Sequence, residues 1–599
     1  MATGDSVVFD MSSESEGASS MFIKKDWLSI LDNQNQTYSG NQVVIDTSQL
    51  ANSNKFMNYR EAYLLLPMML TLTGSPTIGA GASSYFSPAT QATGCDYAIG
   101  LKNWYGSIVH SLTLDYSGTT VIQQTPYIGM WNTFRLMTSL SLNDVKTQGS
   151  SIGFFPDVAQ AAGVSNAPMC SATANTTFNN ANSPTAAPLV IPGLNTYETW
   201  NSGLYQRQQA WNFDPSANSS AISAAVQPYS SLISTASLTN LYKSYIFTKI
   251  NAVVTTAVGP PVTIATVTSQ GVWQAAISGI VLLRHLHPFF EHVPLLKGVF
   301  MKLTLNLNQS SVNFTTSSAP ATPAILTYTA CTVSSPLGGV SPIMIASAFA
   351  GEGGASLYAG SYIVSLNVGK TCLNSSQTGV TGVTTSPLSS SVLLWVPAYS
   401  FNPVFEASYL SSPVKKIMYE DCYQYQVLNV TAAQPFNNLV TNGIANIKSV
   451  LILPFYNSAS TGSSGLIAWQ SPFDPAGGGP TSPLCLFNQF NVQISGQNAI
   501  YSQERYSWEQ FQNQFYGVNA QNAGQDDGFT SGLVSMLDFD MGYNYYYVNC
   551  GRMLPVEEAV PKSINILGIN QSMYAVDLYV FVSYGVEISI DILTGARVG

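Results

Sequence analysis

The stretch VLLRHLHPFFEHVPLLKGVFMKLTLNLN, Val281 to Asn308, is answered near the other end of the chain by NCGRMLPVEEAVPKSINILGIN, Asn549 to Asn570. In both, an Arg (Arg284, Arg552) precedes a Pro (Pro288, Pro555), an acidic residue (Glu291, Glu558), a Val-Pro pair ending in Pro294 or Pro561, a Lys (Lys297, Lys562) and an alternating strand that closes on Asn. Two further echoes keep the same order. YREAYLLLPM from Tyr59 answers NIKSVLILPF from Asn446, each an apolar strand closed by Pro67 or Pro454. SLTLDYSGTTVIQQTPYIGMWNTFRLM from Ser111 answers FNVQISGQNAIYSQERYSWEQFQNQF from Phe490. In that last pair Ser117-Gly118 and Ser495-Gly496 write a tight hairpin turn between alternating runs. A helix follows each, with Trp131, Phe134 and Leu140 in one half and Trp508, Phe511 and Phe515 in the other, spaced to face one side. Three echoes in one order predict a duplicated β domain.

Length agrees, since 599 residues exceed one ordinary domain and suit two large sandwiches with long loops. Only 9% of residues are charged while 46% are hydrophobic, so the chain buries large cores yet keeps a surface that is polar without being charged. Such a surface suits packing against neighbours, because sparse charge weakens the repulsion that keeps proteins apart. The net charge is −10, and the first twenty residues carry Asp5, Asp10, Glu14 and Glu16 with no Lys or Arg. Neutralising phosphates takes clustered cations, so direct condensation of nucleic acid is not expected.

Cys95, Cys170, Cys331, Cys372, Cys422, Cys485 and Cys550 are scattered singly. An odd count, no CxxC pair and no N-terminal apolar signal predict a chain made in a reducing compartment. The Asn-x-Ser/Thr triplets at Asn35, Asn175, Asn313 and Asn429 are then unused. The apolar runs fall short of the ~20 residues that span a bilayer, so no transmembrane anchor is expected.

In chain order the reading is a tail with a short helix at Phe22 to Leu31 (1–40), a first β domain (41–312), a junction of loops (313–391), and a second β domain (392–599) opened by Val392 to Val396. Lys146 to Asn201 and Asp214 to Ser237 read as long polar loops, and Leu533 to Phe539 as a strand. The fold class is all-β.

Chemistry has few places to sit. His285, His287 and His292 with Glu291 form a metal-like cluster, since residues two apart share a strand face. The second copy carries Met553 and Ala559 there and needs no ligand, so the cluster reads as polar residues at a strand-to-loop corner. Gly369-Lys370-Thr371 ends like a phosphate-binding loop, but the required earlier Gly is Val364. Gly351-Glu352-Gly353-Gly354 reads as a flexible loop, and His110 as structural within its strand. The neighbouring carboxylates Asp526/Asp527 and Glu557/Glu558 read as solvated loop residues, and the aromatic groups at Tyr543 to Tyr547 and Phe511 to Tyr516 as core or interface packing. No catalytic, cofactor or metal residue is assigned, and the chain is not expected to be an enzyme.

IDTSQLANSNKFMNYREAYLLLPM from Ile45, HPFFEHVPLLKGVFMKLTLNLN from His287, QFNVQISG from Gln489 and VDLYVFVSYGVEISIDILTGARV from Val576 give the chain its resemblance. It resembles the double jelly-roll major capsid proteins of the polinton-like virus and virophage group of double-stranded DNA viruses. The resemblance covers most of both β domains, while the polar interludes match nothing. It implies two tandem jelly rolls and a homotrimer whose six sandwiches make a pseudo-hexagonal capsomer. It also implies tiling with neighbouring capsomers, penton and minor capsid proteins into an icosahedral shell assembled inside the host cell, the long polar loops forming its outer crown. Two other classes stand beside it: a secreted or surface β-sandwich adhesin that binds glycans, and a β-sandwich glycosidase, in which the duplicated corner has no evident purpose.

Overall fold

Sixteen strands of the computed structural model repeat one wiring twice. The residues it describes are 21–74, 77–78, 97–157, 203, 208–211, 245–255, 267–316, 328–347, 360–369, 391–457, 472, 476–515 and 532–598, less 35, 52, 298–299, 338–340, 483, 501–504, 552–558, 573 and 593–596. The first set is β1 (Phe22–Leu31), β2 (Gln42–Asp46), β3 (Tyr63–Gly74), β4 (Val109–Tyr116), β5 (Thr119–Ile122), β6 (Val267–Leu282), β7 (Met301–Leu307) and β8, which runs over Gly360–Val368 and resumes over Leu393–Phe401. The second is β9 (Val414–Val430), β10 (Pro435–Ile444), β11 (Ile447–Tyr456), β12 (Phe487–Ile494), β13 (Gln497–Asn498), β14 (Tyr546–Asn549), β15 (Lys562–Asn570) and β16 (Val576–Asp591).

In the first set β1-β8-β3-β6 form one antiparallel sheet and β2-β7-β4-β5 the other. In the second, β9-β16-β11-β14 face β10-β15-β12-β13. Numbered within each set, both orders are 1-8-3-6 and 2-7-4-5, the strand order of a jelly roll, so the chain is a double jelly roll and all-β in its framework. Alternation drives each sheet inward: along β7, Met301, Leu303, Leu305 and Leu307 are buried while Lys302 is exposed.

Several expectations are corrected. Phe22 to Leu31, read as a short helix, is β1, an edge strand that buries Ile30 and exposes Ile23, Trp27 and Leu31. The Val392 to Val396 segment does not open the second sandwich. It belongs to the second part of β8, paired with β1 and β3. The junction read between 313 and 391 supplies the first part of β8, aligned on the same edge of β3. Lys146 lies in a helix with a Ser141/Asp144 capping box, and beyond Asp157 that interlude falls outside the described residues, as does Asp214 to Ser237. Leu533 to Phe539 is no strand: Ser535 caps a helix over Met536–Gly542, its hydroxyl accepting from the Asp538 N–H. Propensity lost in each case to partners distant in sequence or to a cap.

Among the helices are α1 (Ile128–Ser139), α2 (Leu142–Ile152), α3 (Leu283–Leu286), α4 (Phe289–His292), α5 (Pro403–Leu410), α6 (Trp508–Phe515) and α7 (Met536–Gly542).

Candidate functional site: the joint between the sandwiches

The two sandwiches meet because one ribbon is too long for its own sheet. β9 pairs with β16 from Val414↔Asp591 to Val427↔Leu578, but β11 covers β16 only up to Tyr584. The remainder is a two-stranded ribbon, marginal in water unless covered. Its Ile417, Tyr419, Ile588 and Ile590 are buried, and the first sandwich meets it. The Tyr419 hydroxyl donates to the Val121 carbonyl at 2.6 Å and its ring stands edge-on to Phe289 at 5.2 Å. Thr125 Oγ1 donates to the Cys422 carbonyl at 2.6 Å.

Helix α1 fills the rest of the joint. It starts after Pro126, with Tyr127 in the left-handed region at φ 55°, and is buried nearly all round because it lies between two bodies. The Phe134 ring packs on Tyr545 and Tyr547 at 5.1 and 5.7 Å, both from the second sandwich. The last turn of α1 has its carbonyls capped from across the joint, Met137 by the Leu533 N–H at 2.7 Å and Leu140 by the Gly532 N–H at 3.0 Å. Backbones approach closely as well: a Cβ on Gly478 would fall 2.4 Å from Lys102 Cβ.

A polar centre sits inside this apolar frame. Arg135 on α1 donates to Glu291 Oε1 at 2.7 Å and to the Arg284 carbonyl at 3.3 Å, with its guanidinium 5.2 Å from the Trp131 ring centroid. Burial draws the guanidinium below its usual value, and Glu291 opposes this. His287 lies between α3 and α4, fully enclosed, and its Nε2 is 3.3 Å from Asp421 Oδ1 on β9. Asp421 also accepts from the Cys422 N–H at 2.8 Å, the Gln123 N–H at 3.4 Å and the Tyr584 hydroxyl at 3.4 Å. Beside this centre a cleft of about 610 Å³ opens, walled by Trp131, Arg135, Glu291, Tyr419, Lys448 and Tyr547.

The histidine corner does not have the strand geometry read from sequence. β6 stops at Leu282 and the chain turns through α3 and α4, so His285 and His287 do not share a strand face. His285 is buried edge-on to Trp104 at 6.3 Å, His287 reaches Asp421, and His292 borders the cleft. Among the described residues no three His, Cys, Asp or Glu side chains gather to hold a metal. His110 on β4 is edge-on to Tyr127 at 5.0 Å. Gly369 closes the first part of β8 at φ +66°, and Lys370 onward lies outside the described residues.

The repeat residues divide. Ser117-Gly118 and Ser495-Gly496 make the same turn, at φ 47° and 81° and at φ 50° and 82°. Pro67 and Pro454 lie on equivalent strands but opposite faces. Pro67 shares a strand face with Tyr63, whose ring meets Trp27 and Trp395 on the outer face. Pro454 shares a strand face with Ile452, which is opposite Tyr546, packed on Phe487 and Phe490 inside. An offset of one residue flips a strand's faces. Pro294 and Pro561 precede equivalent strands at different distances, seven residues before Met301 and one before Lys562. Arg284 gives its carbonyl to Arg135, and Arg552 lies outside the described residues. Sequence reading missed Asp421, Thr125 and Tyr419, whose partners lie more than a hundred residues away and leave no local pattern.

No family model matches the sequence, and no curated protein matches it. Among solved structures the chain is similar to a chain of the Sputnik virophage determined by cryo-electron microscopy, at 12% identity and a TM-score of 0.45, covering 97% of this chain and 89% of that one. It is similar to the mavirus major capsid protein at 9% identity and a TM-score of 0.38, covering 98% and 92%. It is also similar to the Faustovirus major capsid protein at 10% identity and a TM-score of 0.33, covering 96% and 91%.

Proposed function

We propose that this chain is a structural shell protein, the major capsid protein of an icosahedral DNA virus, and that three copies close into a six-sided capsomer. The observation that carries the reading is the joint: two sandwiches of one strand order are welded by a shared ribbon and a buried helix into a single block. Three such blocks around an axis present six similar sandwiches, the closed cyclic arrangement that repeated contacts favour. The sparsely charged surface supports dense packing, and the edge strand β1 exposes Ile23, Trp27 and Leu31 along an unpaired edge that a neighbour can cover. A net charge of −10 suits a wall whose genome is handled by other proteins. In this reading the protein is a wall component of the virion, assembled in the host cell alongside penton and minor proteins, and it catalyses nothing. Electron microscopy with mass photometry of the purified chain tests it. Three-fold particles with a six-sided outline and three times the 64.2 kDa chain mass are expected. A stable monomer at micromolar concentration overturns it.

A further inference from the structure

The pair that locks the joint is built from one residue of each sandwich, and one of the two is an enclosed histidine. His287 is wholly enclosed, with the ring centroids of Trp131 and Tyr419 each 6.0 Å from its own. Both ring nitrogens are committed. Nδ1 accepts from the Phe289 N–H at 3.2 Å, which places the single proton on Nε2, directed at Asp421 Oδ1. We propose that this pair is an acid-sensitive latch: uptake of a second proton by His287 releases the α3–α4 corner of the first sandwich from β9 of the second.

The chemistry runs as a proton balance. A proton arriving at Nδ1 would confront the Phe289 N–H, donor against donor, so the hydrogen bond that starts α4 is lost. The imidazolium would also share its enclosure with the Arg135 guanidinium. The charged groups that act on the ring are Asp421 from β9, Arg135 from α1 and Glu291 from α4, and Tyr419 of β9 stands edge-on to it; Arg284 and His285 of α3, Glu420 and Cys422 of β9 and Tyr584 of β16 are further titratable groups on the elements around it. Asp421 and Glu291 attract the added charge, whereas burial and Arg135 oppose it. Burial outweighs the rest and holds the folded ring below its ordinary value. An opened ring regains solvent and binds its proton near pH ~6.5. The latch is therefore fully closed above that value. Below it the closed-to-open ratio falls about tenfold per pH unit, until the folded ring itself protonates.

The full chain is used for the test. Amide hydrogen–deuterium exchange, corrected for intrinsic rates, is followed at pH 7.5 and 5.0 in peptides spanning residues 283–293 and 414–430. Wild type is expected to lose protection in both segments at pH 5.0, by up to roughly 30-fold for each buried histidine that opening exposes. His287→Gln, which can still donate to Asp421 but does not titrate, is expected to lose less protection than wild type, the remaining loss coming from His285 buried in the same corner. Equal loss in His287→Gln and wild type, or no loss in wild type, overturns the latch. Exchange at the imidazole Cε1 of wild-type His287 provides a readout that needs no variant. A titration midpoint below 6.5 is expected, and an ordinary midpoint overturns the proposal.

Discussion

The ring of Phe134 stands edge-on to that of Phe515, 85° between planes and 5.5 Å between centroids. The two belong to α1 and α6, helices that follow the fifth strand of each sandwich, so each half offers its aromatic helix to the joint. Phe134 is buried while Phe515 is only partly so. Phe134→Ala is expected to lower stability by about 3–5 kcal/mol, and Phe515→Ala by less, because a cavity costs most where nothing can collapse into it. Calorimetric melting of the two variants checks the ranking, and equal losses would contradict it.

Arg135 and Glu291 form an unequal pair, with 18% and 40% of their side chains exposed. Removing Glu291 leaves an enclosed guanidinium with the Arg284 carbonyl and Asn132 as its remaining partners. Glu291→Ala should cost more than the ~1 kcal/mol of a surface pair and less than the ~3–5 kcal/mol of a fully buried one. Arg135→Met, which removes the charge but keeps the apolar stem against Trp131, should cost less than Arg135→Ala. Denaturant midpoints of the three variants decide it.

The two Ser-Gly turns carry positive φ at both central positions, the backbone that Asn-Gly sequences prefer. A Cβ on Gly118 or Gly496 meets nothing within 4 Å, so Ala there costs only the left-handed strain, about 1–2 kcal/mol. Ser117→Asn and Ser495→Asn should each stabilise by a few tenths of a kcal/mol. Melting-temperature shifts of like sign and size in both sandwiches are expected. Opposite signs would show that the turns are not equivalent.

Two further histidines make the whole fold acid-sensitive. Burial lowers His110 to about 4, and burial followed by Arg284 and Arg135 lowers His285 to about 3. Each is a base with its folded value below the unfolded ~6.5. Its contribution is therefore complete above ~6.5 and is lost as pH falls toward 4 and 3, at about 1.4 kcal/mol per unit per group. His110→Gln should flatten the fall in unfolding free energy between pH 6 and 5 by about that amount. An unchanged slope would refute the assignment.

Burial raises the Cys422 thiol well above its usual value and lifts Cys550 to about 12. With Cys485 also buried, native protein at pH 8 should leave all three unmodified by iodoacetamide. They should label together on unfolding. Mass spectrometry that finds any of them alkylated without unfolding would refute this.

What local pattern records was legible. The Ser117-Gly118 and Ser495-Gly496 turns, the alternating strand ending at Asn308 and its counterpart at Asn570, and the aromatic helices after each turn are all short-range signals. What depends on a distant partner was not. Phe22 to Leu31 carries two lysines and reads as a helix, yet it lies flat as β1 because β8 offers an open edge almost four hundred residues later. Pro67 and Pro454 match in sequence but face opposite ways, since a face is fixed by register and register by the neighbouring strands.

Sequence by itself determined that two like sandwiches exist, because periodicity, turn chemistry and repetition are written residue by residue. Tertiary structure alone decided where each sandwich ends and how they are joined. The strands β1 and β8 were assigned by pairing, and His287 met Asp421 only when the chain had closed a loop of more than a hundred residues. An enclosed polar group takes its partner from whatever the fold brings within ~3 Å, and separation along the chain carries no trace of that distance.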